Sequence, residues 1–114
     1  MVRRKEDISR EIRENMRDGK GRILIEHLEK DGLPAAGRLF ANVIIAPGCS
    51  IGAHRHIGES ELFYFIGGRG VVTDDGERVN VSAGDVMTTG DGHWHSVENT
   101  GDANLEMVAV IIKS

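Results

Sequence analysis

Cysteine is almost absent from this sequence, which holds a single one, Cys49, among 114 residues. One thiol cannot form an internal disulfide, so the sequence favours a reducing, cytoplasmic setting. Long apolar runs are missing as well, and none approaches the length of a membrane span or a secretory signal. We therefore expect no membrane partner, and we interpret Cys49 as a small turn residue in preference to a reactive thiol.

A surplus of positive charge is also lacking. The formal net charge is −4 and the isoelectric point is near 5.7. Proteins that bind nucleic acids usually carry a basic stripe, because they must neutralise phosphates. The one basic cluster, Arg3, Arg4 and Lys5, is more typical of a solvated terminus than of a binding patch. The sequence thus argues against a nucleic-acid partner.

Proline is scarce, with 2 residues, whereas glycine is frequent, with 15, and this composition indicates many tight turns. From Arg22 onward, short extended runs alternate with turn signals, and no helical spacers support a parallel sheet. These runs read RILIEHL, RLFANVIIA, GVVTD, ERVNVSA, DVMTT, HSVEN and NLEMVAVIIK. The sequence therefore predicts an all-β sandwich or barrel, and its length allows one domain.

The segment before this region, residues 1–21, has a different pattern. Ile8, Ile12 and Met16 follow one another at i, i+4 spacing among charged residues, which predicts a short amphipathic helix ending near Gly19. Its apolar stripe is too narrow for an independent unit. We expect the helix to pack on the barrel, residues 22–114, or on a partner subunit.

Chemistry is concentrated in the stretch GCSIGAHRHIGESELFYFIGG, residues 48–68. Alternate side chains of a strand point to the same face, so His54 and His56 should converge on one point. A bend at Ile57-Gly58 followed by a new strand at Glu61 could bring that carboxylate over the same point. Imidazole and carboxylate together are typical ligands of a first-row transition metal.

Two more histidines, His93 and His95, are again two residues apart, at a turn that leads into a strand. One or both could reach the first cluster. His27 stands alone in a predicted strand, and a lone strand histidine is more often packed or exposed than a ligand.

These residues resemble the two motifs of the cupin superfamily, most closely those of small single-domain bacterial cupins. The first motif is matched at every position and the second at all but one, where glycine replaces proline. The matching residues are Gly48, His54, His56, Glu61 and Gly68 in the first motif and Gly84, Gly92, His95 and Asn99 in the second, with Gly90 as the exception. Glycine at position 90 should make that turn less stiff.

The resemblance implies a cupin jelly-roll barrel, a double-stranded β-helix. It also implies one divalent transition metal, such as Mn, Fe, Ni, Co or Zn, inside the barrel. The implied ligands are His54, His56, Glu61 and His95. The same motif spacing prefers Glu61 to Glu59, which we expect to be a loop carboxylate. His93 occupies a variable position, so we interpret it as a pocket-mouth residue and the one candidate, a weak one, for acid–base catalysis.

The alternation of side chains predicts which other residues of the Glu61 strand point into the barrel. If Glu61 points inward, Phe63 and Phe65 do so too and should wall the substrate pocket. The opposite face, with Leu62 and Tyr64, is also apolar, and a homodimer is the simplest cover for it. Asn42 could line the pocket, although an edge or turn position fits it equally well.

Four ligands leave two positions on a six-coordinate metal, where a small oxygenated metabolite could chelate the ion. One hypothesis is a metal-dependent enzyme, of dioxygenase, decarboxylase or isomerase type. The alternative is a non-catalytic module that binds or senses a metal or small ligand. Oxalate-decarboxylase-like cupins are the nearest specific resemblance, but no residue is identified as the separate acid that this chemistry needs.

Overall fold

The computed structural model describes residues 1–114 and consists of ten β-strands with two short 3₁₀ turns. The turns are Lys5–Asp7 and Met16–Asp18. The strands are β1 (Ser9–Glu14), β2 (Arg22–Glu29), β3 (Gly37–Ile45), β4 (Ser50–Arg55), β5 (Glu59–Gly67), β6 (Arg69–Asp74), β7 (Glu77–Ser82), β8 (Val86–Thr89), β9 (Trp94–Glu98) and β10 (Leu105–Lys113). No helix in the chain has the length and hydrophobicity needed to span a bilayer.

Two antiparallel sheets pack face to face and confirm the predicted jelly-roll barrel. The larger sheet has the strand order β1-β2-β3-β10-β5-β8, and the smaller one has the order β4-β9-β6-β7. Apolar side chains from both sheets form one core, because alternate residues of each strand point between the sheets. Its members include Ile23, Val43, Phe65 and Met107 from the larger sheet and Ile51, Val72 and Val97 from the smaller one.

The helix predicted over residues 8–16 is wrong. That segment contains β1, which pairs antiparallel with β2 so that Ser9 lies opposite His27 and Glu14 opposite Arg22. Residues four apart share a face in a strand as they do in a helix, so the spacing of the apolar residues fits both structures. Pairing with β2 satisfies backbone groups along a sheet edge, and the Arg10–Glu26 ion pair, at 2.7 Å, joins the two strands.

After β1 the chain makes a turn, residues 15–21, that is fastened to the start of β4. The Ser50 amide donates to the Lys20 carbonyl at 2.8 Å, and the Lys20 amide donates to Ser50 Oγ at 3.0 Å. A Cβ at Gly52 would lie 2.0 Å from the Arg17 carbonyl oxygen, and one at Gly19 would lie 2.2 Å from the Ser50 carbonyl oxygen. Glycine at both positions therefore allows the turn to lie directly on the strand that carries His54.

Strand β5 has the alternation predicted for it. Glu61, Phe63 and Phe65 are buried between the sheets, whereas Leu62 and Tyr64 are exposed on the outer face. β5 lies between β10 and β8, the edge strand of the larger sheet. This position brings the Glu61 carboxylate into the barrel opposite β4 and β9.

Candidate metal centre

The four residues predicted as ligands lie together in the barrel. His54 is on β4, His56 directly follows that strand, Glu61 is on β5 and His95 is on β9. Their ligating atoms all lie within 4.8 Å of one another. His54 stands opposite His95 in the β4–β9 pair, so two of the imidazoles come from adjacent strands of one sheet and the carboxylate comes from the other sheet.

Hydrogen bonds fix the tautomer of two imidazoles in this group. The Nδ1–H of His54 donates to the Gly52 carbonyl at 2.8 Å, and that of His56 donates to the Glu59 carboxylate at 2.6 Å. A carbonyl and an ionised carboxylate can only accept, so the proton sits on Nδ1 and the Nε2 of each of these rings, when neutral, carries a free lone pair. His95 Nδ1 is hydrogen-bonded to the Thr89 hydroxyl at 2.7 Å, and this bond also directs its Nε2 toward the other two rings.

The three Nε2 atoms consequently face one another. His95 Nε2 lies 3.0 Å from both His54 Nε2 and His56 Nε2, and Glu61 Oε1 is 3.0 Å from His56 Nε2 and 3.2 Å from His95 Nε2. Three imidazole nitrogens and a carboxylate buried this close together are costly unless a cation, either a proton on one of the rings or a metal ion, lies between them. The donor set therefore fits a metal ion.

The separations also indicate a coordination geometry. With metal–ligand bonds of about 2.1 Å, ligands at right angles are about 3.0 Å apart, whereas tetrahedral ligands are about 3.4 Å apart. Four of the six separations, 3.0 to 3.2 Å, agree with right angles. An octahedral ion held by these four side chains would keep two positions for other ligands.

The surroundings shift the pKa values of His54 and His56 in opposite directions. Burial lowers the pKa of His54 to about 4, and the charges of His95, His56 and Arg17 act in the same direction. Hydrogen bonding to Glu61, helped by Glu59, raises the pKa of His56. Burial would raise the pKa of Glu61, but hydrogen bonds from His56 and His95 outweigh it and lower the pKa. A proton and a metal ion therefore compete chiefly for His56 Nε2.

Glu59 has a role that the sequence reasoning missed. It is the first residue of β5 and not a loop residue, and its carboxylate accepts from both His56 and Arg38, whose Nε and Nη2 lie at 2.6 and 2.8 Å. Alternation from Glu61 along β5 would have placed Glu59 on the same side. A carboxylate bonded to the far nitrogen of a ligand imidazole orients the ring and increases its basicity.

A cavity of about 90 Å³ adjoins three of the four side chains, those of His54, His56 and Glu61. Its walls are mainly apolar, with three arginines among the lining residues. The lining residues are Met16, Ile25, Leu39, Val43, Ile51, Phe63, Met107 and Ile111, with Arg13, Arg17, Arg38, His54, His56 and Glu61. The cavity is small beside the roughly 300 to 1,000 Å³ typical of pockets for drug-sized ligands.

Of the four residues predicted to line the pocket, only Phe63 does so. Phe65 lies deeper and is fully buried, with its ring centroid 6.0 Å from that of Phe63. Asn42 alternates with the inward-facing Ala41 and Val43, so it points to the opposite face of the sheet and donates to Glu26 at 3.0 Å. The structure therefore places Phe65 and Asn42 away from this cavity.

His93 also lies away from the cavity, with 58% of its side chain exposed. It belongs to a turn in which Gly92 has a φ of +87°, and β9 begins only at Trp94. Its Nδ1 is hydrogen-bonded to Asp75, which raises the pKa of His93. The structure thus gives no support to His93 as a pocket-mouth or catalytic residue.

Comparison with known proteins identifies the family of this chain. The sequence model of the cupin domain matches residues 41–111. The chain belongs to the cupin family. An "Oxalate-binding protein" of Thermotoga maritima is 46% identical to this cupin over 113 residues, which are 98% of this chain and 93% of that protein.

Solved structures give the same result for the fold. The crystal structure of a predicted oxalate decarboxylase from Thermotoga maritima superposes with a TM-score of 0.94 at 44% identity, and the match covers 100% of both chains. The cupin domain of Schizosaccharomyces pombe Cnp3 superposes with a TM-score of 0.75 at 12% identity, over 91% of this chain and 69% of that one. The second likeness concerns the fold alone.

Proposed function

We propose that this cupin binds one divalent transition metal through His54, His56, Glu61 and His95 and uses it to bind a small oxygen-rich acid. The observation that carries the proposal is the convergence of three Nε2 lone pairs and one carboxylate oxygen on a single point. When bound, the ion would supply Lewis acidity or a redox centre. Mn and Fe are the first candidates, because right-angled coordination by N and O ligands suits them.

Oxalate is the first candidate for the acid. The cavity is small and has three arginines among its lining residues, and a relative that matches nearly the whole chain is named for oxalate binding. Two adjacent oxygens of such an acid could occupy the two remaining positions on the ion. Apart from Glu61, the cavity wall contains no carboxyl group, and its two imidazoles are proposed ligands. This absence of a free acid or base favours a binding module, and an enzyme of decarboxylase, dioxygenase or isomerase type is the second candidate.

The test begins with elemental analysis of purified protein, followed by calorimetric titration of oxalate into Mn²⁺-loaded and EDTA-treated samples. We expect close to one transition metal per chain and oxalate binding in the loaded sample alone. Glu61→Gln should lose both, whereas Glu106→Gln, on β10 and not on the cavity wall, should keep both. Several preparations that neither contain nor take up a metal would overturn the proposal. Consumption of oxalate by the loaded protein would establish the enzyme reading.

We also propose a homodimer formed by the outer face of the larger sheet. Exposed apolar side chains from four adjacent strands make this face, which we call the outer apolar face. They are Phe40, Leu62, Tyr64, Ile66, Val86 and Ile112. The Oδ1 of Asn42 is buried on this side of the sheet without a donor. Single exposed apolar residues are normal on a protein surface, but a contiguous patch of this kind is typical of an interface. A second copy of the chain would cover it.

Sedimentation velocity tests the dimer. We expect the wild type to sediment as a dimer and Tyr64→Glu to sediment as a monomer, because a charge would be buried at the interface. Val79→Glu is the matched control, since Val79 is also exposed but lies on β7 of the other sheet. A wild type that stays monomeric at high concentration would contradict the proposal.

A cytoplasmic setting is proposed as well. Cys49 is a free, partly buried thiol that packs against the core, and the chain has no other cysteine. Such usage is ordinary for proteins of reducing compartments. Fractionation of the native cells should recover the protein with cytoplasmic markers, and recovery with secreted proteins would contradict this.

A further inference from the structure

Arg17 differs from the other two arginines of the cavity. Arg13 is paired with Glu11 at 2.7 Å, and Arg38 is paired with Glu59. Arg17 forms no ion pair, although it lines the same cavity and its charge acts on His54. Arg17 is exposed, so it lies where the cavity meets solvent, and an arginine without an acidic partner is a ready binding group for an external carboxylate.

The backbone that carries Arg17 is unusual. Arg17 itself has a φ of 55° and a ψ of 38°, and Asn15 and Asp18 nearby have φ values of 51° and 62°. Left-handed conformations are uncommon for residues other than glycine and persist where surrounding structure enforces them. Here the Asn15 amide donates to the Gly21 carbonyl at 2.9 Å, and the close approach of Gly19 to β4 holds the turn. The turn is therefore a built element that positions Arg17 beside the metal group.

The formal charges around the cavity point to a ligand of definite charge. The Arg13–Glu11 and Arg38–Glu59 pairs are each neutral. A divalent ion with Glu61 keeps one positive charge, and Arg17 adds a second. A ligand with two negative charges would balance them, whereas a monoanion would leave the exposed Arg17 without a ligand charge opposite it.

We propose that the turn at residues 15–21 is the specificity element of this site, and that Arg17 selects small dianionic acids over monoanions of the same size. The inference rests on the proposed function. Oxygens on one side of the acid would face the metal group, and Arg17 would take those on the other side in its two-pronged hydrogen-bonding geometry. The cavity volume of about 90 Å³ restricts the acid to a few heavy atoms.

The experiment compares oxalate with oxamate, which has nearly the same shape but one carboxylate replaced by an amide. Both are titrated by calorimetry into Mn²⁺-loaded wild type, Arg17→Gln and Arg78→Gln. We expect Arg17→Gln to weaken oxalate at least tenfold and oxamate less than threefold. Arg78→Gln makes the same charge change on β7, away from the cavity, and should alter neither. Equal losses for the two ligands, or no loss, would overturn the proposal.

A second variant moves the turn without removing Arg17. Gly19→Ala places a Cβ against the Ser50 carbonyl, and since Gly19 has a φ of −77°, alanine adds no backbone strain of its own. We expect the same selective loss of oxalate with the metal content kept. If the wild type binds metal and oxalate but both variants match it, this inference fails alone. If the wild type binds neither, the proposed function fails as well.

Discussion

The two histidine pairs, His54 with His56 and His93 with His95, have the same spacing in the sequence and different surroundings in the fold. Both members of the first pair reach the candidate metal centre. In the second pair His95 is fully buried there, whereas 58% of the His93 side chain is exposed. The pairs meet at one end of the barrel, where the His56 amide donates to the His93 carbonyl at 3.2 Å.

The difference lies in the backbone before each second histidine. His54 lies in β4 and His56 directly follows that strand, and both imidazoles reach the candidate centre, as alternation predicts. His93 instead closes a turn in which its amide donates to the Gly90 carbonyl at 3.1 Å, and only the next residue begins β9. A spacing of two therefore indicates a shared face only where neither residue closes a turn.

Replacement of a single histidine by alanine should give the largest difference in metal affinity between the buried and the exposed positions. His95→Ala removes one of the four proposed ligands, and because structural zinc sites are worth about 10 to 16 kcal/mol in total, its loss should weaken metal binding by at least about a hundredfold. His93→Ala should leave the affinity within about threefold, because an exposed side chain outside the centre is removed. Competitive titration with a chelating dye measures the metal affinity of both variants. Similar losses of affinity would contradict the assignment of His95, and not His93, to the metal centre.

The carboxylates that are hydrogen-bonded to Nδ1 offer a second comparison, since one histidine of each pair has such a partner. Glu59 holds His56, a proposed ligand, and Asp75 holds His93, which is not one. Loss of such support for a ligand typically costs about 10- to 100-fold in metal affinity. We expect Glu59→Gln to fall in that range and Asp75→Asn to have no effect on the same titration. An unchanged affinity in Glu59→Gln would show that Arg38 and the strand alone orient His56.

The pH dependence of metal binding should follow the histidines proposed as ligands and not His93. The pKa of His56 is raised by Glu61, so a metal must displace a proton from it, and affinity should fall about tenfold per pH unit below that raised pKa. His54, with a pKa of about 4, should add a second proton only near that pH. Titrations from about pH 8 to about pH 5 measure the slope. A flat affinity would contradict the assignment, and His93→Ala should keep the slope unchanged.

The smallest effect is expected within the second pair. Asp75 raises the pKa of His93 by hydrogen bonding and charge, so Asp75→Asn should bring that pKa back toward its ordinary value. The raised pKa means that this contact stabilises the fold at low pH and that its contribution is lost as pH rises through the pKa of folded His93. NMR titration of the imidazole measures the shift, with His27 as an internal reference. A His93 pKa that stays raised in the variant would show that Asp75 is not its cause.

The sequence predicted the barrel and β5 because alternation is a local property. Glu61, Phe63 and Phe65 face inward as expected, and the motif resemblance identified His95, which spacing alone left undecided. The position of Asn42 could also have been predicted from alternation. It stands between Ala41 and Val43, both buried, and the same alternation places it on the outer face.

Other features depend on contacts between distant segments and could not be predicted. The spacing of Ile8, Ile12 and Met16 fits helix and strand alike, and pairing with β2 decides between them. Arg17 lines the cavity only because Gly19 and Gly52 let a turn lie on β4. Such contacts arise from tertiary packing, which overrides weak local preferences.

The Arg38–Glu59–His56 chain has a consequence for any ion held at this centre. β3 bulges at Arg38, since Leu39 lies opposite Ile111 and Gly37 opposite Ile112, and the guanidinium thereby reaches Glu59. An arginine stays charged at all physiological pH values, and its hydrogen bonds lower the pKa of Glu59. Glu59 therefore remains an anion, and the electron density that it lends to the imidazole stays constant. The reduction potential of the ion would be buffered against changes in cellular acidity.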